Sequence, residues 1–429
     1  MSVSTSIIKS LAECLGSIQQ NPYPHVPNPP DCQKRASVAL VLRVRPDYAD
    51  SVTIASRHSS TDGNDGLPPT TLADFFAQGW VQNGDAEILF IKRAGRVGDR
   101  WSGHIALPGG RRDPPDVDDR AAAIRETKEE VGLDLSRSDC LYAGNLPQRV
   151  VTTTWGKKGL MVLCPFIFIL TSPTSPSLLL QPAEVAATHW VPLPALLSSS
   201  LRTRELVDVS SRFGKKDGPV LRYMLRFTLG KMMFSAVRLI PSESVFASSI
   251  PGFIPHPQKN VTLFSGLARG SFGVPSSTTP SGPLLLWGLT LGIVADLLEL
   301  LPPHNASELW QYPTFTSPDL RLLVYLFTYK LRQDNARHFS DGTLPSQTAV
   351  DASTAAVAVS EAEPHQAKPN NVGVGGLGLS SRPSHTLSSM LSGYYEQVNV
   401  AIAVFLAMRI AAAGGLGYYA FRTWKLWRR

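Results

Sequence analysis

The chain has 429 residues, 43% hydrophobic and 17% charged, which leaves room for one large domain or two ordinary ones with a sizeable core. Its formal charge of +7 is unevenly placed: residues 396–429 carry a net +4, so the rest is too nearly neutral to argue for a nucleic-acid-binding surface. Cys14, Cys32, Cys140 and Cys164 form no CxxC pair and show no metal-ligand spacing, which argues against a zinc site or a disulfide framework and for reduced thiols in a cytosolic compartment.

In chain order, Ser6–Ile18 reads as a short amphipathic helix interrupted by Lys9 and Glu13. It lacks the long apolar core of a secretory signal and is poor in the arginines of a mitochondrial presequence. Ser37–Arg45 and Glu87–Arg93 are β-branched, apolar strands. Between them, residues 46–85 are rich in Ser, Asp, Gly and Pro and read as a surface insertion. A helix is expected from about Arg120 to Val131, then a buried central strand over Leu160–Thr171 and a strand-like piece at His189–Leu193. Residues 202–283 mix basic, apolar and Ser/Pro-rich stretches, with Leu221–Thr228 as a strand candidate. Leu284–Leu301 is apolar enough to mimic a membrane span. Asp296 and Glu299 interrupt it, however, and Leu289, Ile293, Leu297 and Leu300 recur at helical spacing, so a buried helix is expected. The sequon Asn305-Ala306-Ser307 has no secretory context. Asp319–Arg332 reads as a further helix.

From about Asp334 to Ser389, Ala, Ser, Gly and Pro dominate and aromatics almost vanish, the composition of a flexible tether. Val398–Phe421 follows with a single charge, Arg409, and is long enough to cross a bilayer. Trp424 and Trp427, with Arg422, Lys425, Arg428 and Arg429 around them, are the residues expected at a membrane interface. Arg409 is the objection, since a mid-membrane arginine costs about 2.5–3.5 kcal/mol. The alternatives are an amphipathic surface helix and a helix packed on the protein.

The chemistry concentrates in Leu107–Leu133, LPGGRRDPPDVDDRAAAIRETKEEVGL. Pro114 and Pro115 force the helix to start after them. Asp116, Asp118 and Asp119 are N-cap candidates, Ala121–Ala123 favour helix, and Gly132 sits where a left-handed cap belongs, with Leu133 beyond it. Glu126, Glu129 and Glu130 then share one face at i, i+3 and i+4. Three such carboxylates repel one another unless a hard divalent cation such as Mg²⁺ or Mn²⁺ joins them; without the flanking sequence, a solvated acidic face is the commoner reading of such a triplet.

With its flanks, the run resembles the Nudix box. Gly110, Arg125, Glu126, Glu129, Glu130, Gly132 and Leu133 occupy matching positions; Asp116 stands where the box has Glu, one residue is inserted before Arg125, and Thr127 replaces an aliphatic residue. LPGGRRDPxD followed by RETxEEVGL, with Ser102-Gly103-His104 upstream, resembles the coenzyme A diphosphatase branch, although Asp99 holds that branch's upstream arginine position and Arg100 follows one residue late. Gly144–Pro147, Glu184-Val185, Trp190–Leu193 and Trp287–Thr290 extend the resemblance.

The resemblance implies a Nudix-type α/β/α sandwich with a mixed sheet; composition and hydropathy add a disordered linker and a C-terminal transmembrane helix. The expected organisation is an N-terminal extension at 1–35, a Nudix hydrolase domain at 36–332 with insertions at about 46–85 and 202–283, the linker at 333–395 and the anchor at 396–429. It implies Mg²⁺- or Mn²⁺-dependent cleavage of coenzyme A, or a derivative, to 3′,5′-ADP and 4′-phosphopantetheine. Metal ligands would be Glu126, Glu130 and Glu129; catalytic residues Glu129 and Arg125; substrate-binding residues Arg100, Arg111, Arg112, Gly109 and Gly110. Glu184 would be a late carboxylate or a surface acid, and His104 a phosphate donor or a structural loop residue. The partners expected are a nucleoside diphosphate-linked small molecule and a membrane, mitochondrial outer or peroxisomal, with the catalytic domain in the cytosol and no nucleic acid. Hydrolysis of another such derivative, NADH or ADP-ribose, is the alternative, ahead of a non-catalytic binding module.

Overall fold

A computed structural model describes residues 3–30, 32–52, 69–95, 101–152, 159–208, 228–249, 283–302, 304, 311–340 and 393–428. The chain divides into two compact units: Met1–Val151, Leu160–Glu205 and Ser235–Leu309 form the first, and Thr152–Gly159, Leu206–Phe234 and Trp310–Arg429 the second.

The first unit is built on a nine-stranded sheet. Its strands are β1 (Arg35–Arg45), β2 (Asp85–Arg93), β3 (Ile105–Ala106), β4 (Gly109–Arg111), β5 (Cys140–Asn145), β6 (Arg149–Thr152), β7 (Gly159–Leu170), β8 (Val185–Pro192) and β11 (Glu243–Phe246). The main order is β11-β8-β2-β1-β7-β5, with β3 on β2, β4 on β1 and β6 on β7. β1 and β7 run parallel, from Arg35 opposite Val162 to Leu42 opposite Ile169, while β2 pairs antiparallel with β1 and β8. The sheet is therefore mixed.

Both faces of the central strands are apolar, so both must be covered. Ala39, Val41, Leu89, Ile91, Cys164, Phe166, Phe168 and Trp190 pack with Ala123 and Val131 of the helix Asp119–Val131. The alternate residues Leu40, Leu42, Ile88, Phe90, Ile167 and Ile169 are buried on the other side, as a period of two requires. Helix α1 (Val3–Gln20) packs on β2 and β5 and against the short helices α2 (Leu72–Phe76) and α3 (Gly79–Asn83). In chain order the helix over the first face is α4 (Asp119–Val131), followed by α5 (Leu193–Leu197) and α6 (Gly288–Glu299).

Three regions read as peripheral contribute to this unit. The first 35 residues contribute Ile7, Ile8, Leu11, Cys14, Leu15 and Ile18 to the core, because the amphipathic helix has a sheet face to cover. The end of the 46–85 stretch folds into α2 and α3: Thr71 caps α2 by accepting from Asp74 N–H, and Leu72, Phe75 and Val81 are buried. The 202–283 stretch supplies β9 (Arg202–Val207), β10 (Met232–Arg238) and β11, the last of which completes the sheet edge against β8. The strand candidate Leu221–Thr228 falls almost wholly outside the described residues. The apolar run at 284–301 divides into strand β12 (Leu285–Trp287) and α6, in which Leu291, Ile293, Val294, Leu297 and Leu298 are buried.

In the second unit, α7 (Pro318–Ser340) runs beyond the helix expected to Arg332 and into the start of the expected tether. The tether's 341–392 portion lies outside the described residues. The C-terminal helix α8 spans Tyr394–Trp427. Leu320 and Val324 of α7 share a core with Tyr394, Val398, Ala401, Ile402 and Phe405 of α8 and with Leu229, Met232 and Phe315.

Candidate active site

Strand β4 and helix α4 form the site, and the glycines of LPGG show how closely they approach. Gly109 has φ +144°, a conformation side chains rarely adopt, and a Cβ there would stand 2.3 Å from the Ser37 carbonyl oxygen of β1. A Cβ on Gly110 would stand 2.4 Å from the Glu126 carboxylate, so a side chain here would occupy the place of that carboxylate. Gly109 also donates its N–H to Glu130 Oε2 at 2.9 Å. Both residues, expected at the substrate, therefore shape the cradle of the glutamates.

Local chemistry sets the helix. Asp118 caps its start, accepting from Ala121 N–H at 2.6 Å. Gly132 ends it at φ +74°, with its N–H on the Lys128 carbonyl. Thr127, the departure from the aliphatic pattern, is fully buried and turns its hydroxyl back to the Ala123 carbonyl at 2.7 Å. That bond satisfies the hydroxyl in an apolar setting.

The three glutamates meet three different environments. Glu130 lies on the sheet-facing side beside Val131 and is 3% exposed. Glu126 is intermediate, its side chain 15% exposed, and Glu129 is largely in solvent at 58%. Burial pushes the Glu130 carboxyl up to about 7, against the pull of the Gly109 N–H; the charge of Glu126 adds to the rise, Arg93 opposes it, and Glu184 adds again. Burial likewise raises Glu126, with Arg125 opposing and Glu129 and Glu184 adding. Glu184, held by its backbone to Ala94 and Gln181, thus joins the electrostatic cluster. The signal was its place before the β8 strand, and nothing local distinguished it from a surface acid.

Arg125 is a brace. Its Nε and Nη2 hold both oxygens of Asp116 at 2.9 and 3.0 Å, Nη2 reaches the Arg111 carbonyl at 3.0 Å, and Nη1 meets Glu129 at 2.9 Å and Glu126 at 3.1 Å. The guanidinium keeps the buried Asp116 below the ordinary carboxylate range. Asp116, the substitute for the box glutamate, therefore anchors the loop to the helix through Arg125.

The other arginines are dispersed. Arg112 faces inward, donating to the Val117 carbonyl at 3.0 Å and to Asp119 at 3.3 Å. Arg111 is exposed, and Arg100 lies outside the described residues. A residue no motif flagged, Arg35, holds both oxygens of Asp119 at 2.8 and 3.0 Å and also bonds Gln148, Asn28 and the Val26 carbonyl. It ties the start of α4 to β1 and the N-terminal segment. Beside the carboxylates, Arg93 exchanges backbone bonds with Gly103 and His104. The His104 ring is 5.6 Å from Trp101 and 5.0 Å from Trp287, which joins two upstream and downstream motifs in one aromatic group.

Among the described residues no three His, Cys, Asp or Glu side chains stand together as a ready metal cluster. The donor set nonetheless suits a hard cation: Glu126 and Glu130 are carboxylates drawn out of water, next to one another's charge, in a cradle that Gly110 keeps open. Glu129 is bonded to Arg125 and would join only by leaving it.

This loop-helix on a mixed sheet is the arrangement of a Nudix domain, and the NUDIX domain model matches residues 77–208. The chain belongs to the Nudix family. It is 37% identical over 250 residues to an uncharacterised protein of Schizosaccharomyces pombe, covering 57% of this chain and 67% of the relative. It is 33% identical over 125 residues to Nudix hydrolase 15, mitochondrial, of Arabidopsis thaliana, covering 29% of this chain and 40% of that protein. It is also 43% identical over 53 residues to the mouse (Mus musculus) peroxisomal coenzyme A diphosphatase NUDT7, covering 12% and 22%. The chain thus spans two thirds of the yeast relative and less than half of the plant and mouse proteins.

Proposed function

We propose that the chain hydrolyses the diphosphate bond of coenzyme A or a coenzyme A derivative, giving 3′,5′-ADP and 4′-phosphopantetheine. Water adds to one phosphorus of the diphosphate, the bond from that phosphorus to the bridging oxygen breaks, and the departing phosphate keeps that oxygen. The observation that carries the reading is the buried Glu130 carboxyl, raised to about 7 and held by a backbone N–H beside Glu126. Such an acid is costly in a metal-free protein and is relieved by a cation.

Glu126 and Glu130 would hold Mg²⁺ or Mn²⁺, with Glu129 as a further ligand or as the group that orients the attacking water. The ion supplies charge neutralisation at the phosphoryl oxygens and a more acidic water. Arg125 acts through Asp116 and Glu129 and is a positioning residue. Similarity to the mouse coenzyme A diphosphatase favours that substrate. Asp99, where the branch carries arginine, favours the second reading, another nucleoside diphosphate derivative such as NADH or ADP-ribose.

We further propose that α8 tethers the protein to a membrane. It is the one helix among the described residues long and apolar enough to cross a bilayer. The test of the activity is product analysis on the full chain with Mg²⁺ and coenzyme A, NADH or ADP-ribose, beside Glu130→Gln. Release of 3′,5′-ADP from coenzyme A, lost in the variant, is expected. Turnover of only NADH or ADP-ribose would replace the substrate, and folded protein inert on all three would overturn the catalytic reading.

A further inference from the structure

Helix α8 changes character along its length. Its first turns belong to a protein core, where Tyr394, Val398, Ala401, Ile402 and Phe405 are buried. From Ala407 to Arg428 every residue is exposed, including Met408, Ile410, Leu416, Tyr418, Phe421 and Leu426. Arg409 stands at the change. It forms an ion pair with Asp319 in the first turn of α7, and its guanidinium lies 5.1 Å from the Phe405 ring.

We infer that the bilayer begins at this ion pair: Asp319 and Arg409 lie in one headgroup layer, the uncharged Ile410–Phe421 lies in the hydrocarbon, and the last turns, with Trp424, Lys425, Trp427 and Arg428, meet the other layer. This rests on the tether reading and fixes its register. The span suggested by hydropathy, Val398–Phe421, would draw Val398, Ile402 and Phe405 out of the core they share with Leu320 and Val324, and would carry a charged arginine to mid-bilayer. The later register leaves the core intact and puts Arg409 where charge is tolerated, with a counter-ion already on it. From Arg409 to Arg428 the helix rises about 28 Å at 1.5 Å per residue, close to the hydrocarbon thickness of a thin bilayer, so the charged ends lie one such thickness apart. Ile410–Phe421 carries no charge, and Arg422 has a side chain long enough to reach the far headgroup layer from one or two turns inside it. Trp424 and Trp427 supply the aromatic belt.

The test adds full-length protein to preformed phosphatidylcholine vesicles and labels with a membrane-impermeant maleimide. Single cysteines are placed at Val400, Met408 and Ala413; Cys14, Cys32 and Cys164 are buried, so the unsubstituted chain sets the background. The expected pattern is labelling at 400 and 408 in sealed vesicles, with loss of labelling at 413 until detergent is added. Protection of 408 together with 413 would overturn this register while leaving the tether. Labelling of 413 in sealed vesicles as in detergent would overturn both.

Discussion

Helices α4 and α8 break the same rule in opposite directions. α4 buries a carboxylate: Glu130 faces the sheet beside Val131 with one backbone N–H for company. α8 exposes apolar side chains for all of its length beyond Phe405 and Leu406. Neither is a stable arrangement in plain water, since a buried charge costs desolvation and a long apolar face costs hydration. The comparison teaches that each helix is completed from outside the chain, α4 by a cation and α8 by lipid in the reading proposed above. The energetic frame differs too. Arg125 of α4 holds Asp116, Glu126 and Glu129 together, whereas Arg409 of α8 has, among the described residues, the one ion-pair partner Asp319.

The largest effect that would break the comparison is expected at Glu130. Glu130→Gln keeps the shape and the Gly109 bond but removes the charge. Turnover should fall by about 10²–10³-fold, the usual scale for a lost charge-stabilising group, while the metal-free protein should melt at a higher temperature than the unsubstituted chain. A variant that loses activity and stability together would make Glu130 an ordinary structural acid.

Next comes the brace. Arg125→Ala should destabilise by about 1.5–3 kcal/mol, since hydrogen bonds between charged groups are lost and Asp116 is stranded; urea unfolding measures it. Arg125→Lys should recover only part, because an ammonium cannot reproduce the fork on Asp116 together with the Arg111 carbonyl. Full recovery by lysine would show that charge alone suffices.

The two glycines should separate fold from site. Gly109→Ala meets the β1 backbone in a strained conformation and should cost about 1–3 kcal/mol in unfolding experiments. Gly110→Ala meets only the end of the Glu126 side chain, so its loss should appear as a raised metal requirement with little change in melting temperature. Equal melting losses in both would deny Gly110 its role at the carboxylate.

The pH dependence follows from Glu130. Its folded-state pKa, about 7, lies above its ordinary value of 4.5, so it contributes stability that is complete below about 4.5 and lost as pH rises through 7. Metal-free melting temperature should therefore contain a downward component between pH 5 and 8, absent in Glu130→Gln. Mg²⁺, which competes with the proton, should stabilise more at pH 8 than at pH 5.5. The smallest effect is expected for Arg409→Leu in detergent: an exposed ion pair contributes about 0–1 kcal/mol, so the melting temperature should barely move.

Much of the fold was legible because it is written locally. The apolar runs of β1, β2 and β7, the Asp118 and Gly132 ends of α4, and the spacing of Glu126, Glu129 and Glu130 all follow from propensity, capping and periodicity within a few residues. Those same rules cannot say which helix face meets the sheet. Tertiary structure alone decided that Glu130 is the buried glutamate, that Arg112 turns to Asp119, and that Arg35 and Glu184 arrive from distant strands and loops. It also decided that the apolar stretch at 398–421 is core at its start and bare from Ala407 on, because hydropathy measures what a segment can bury, while only its neighbours determine what it does bury.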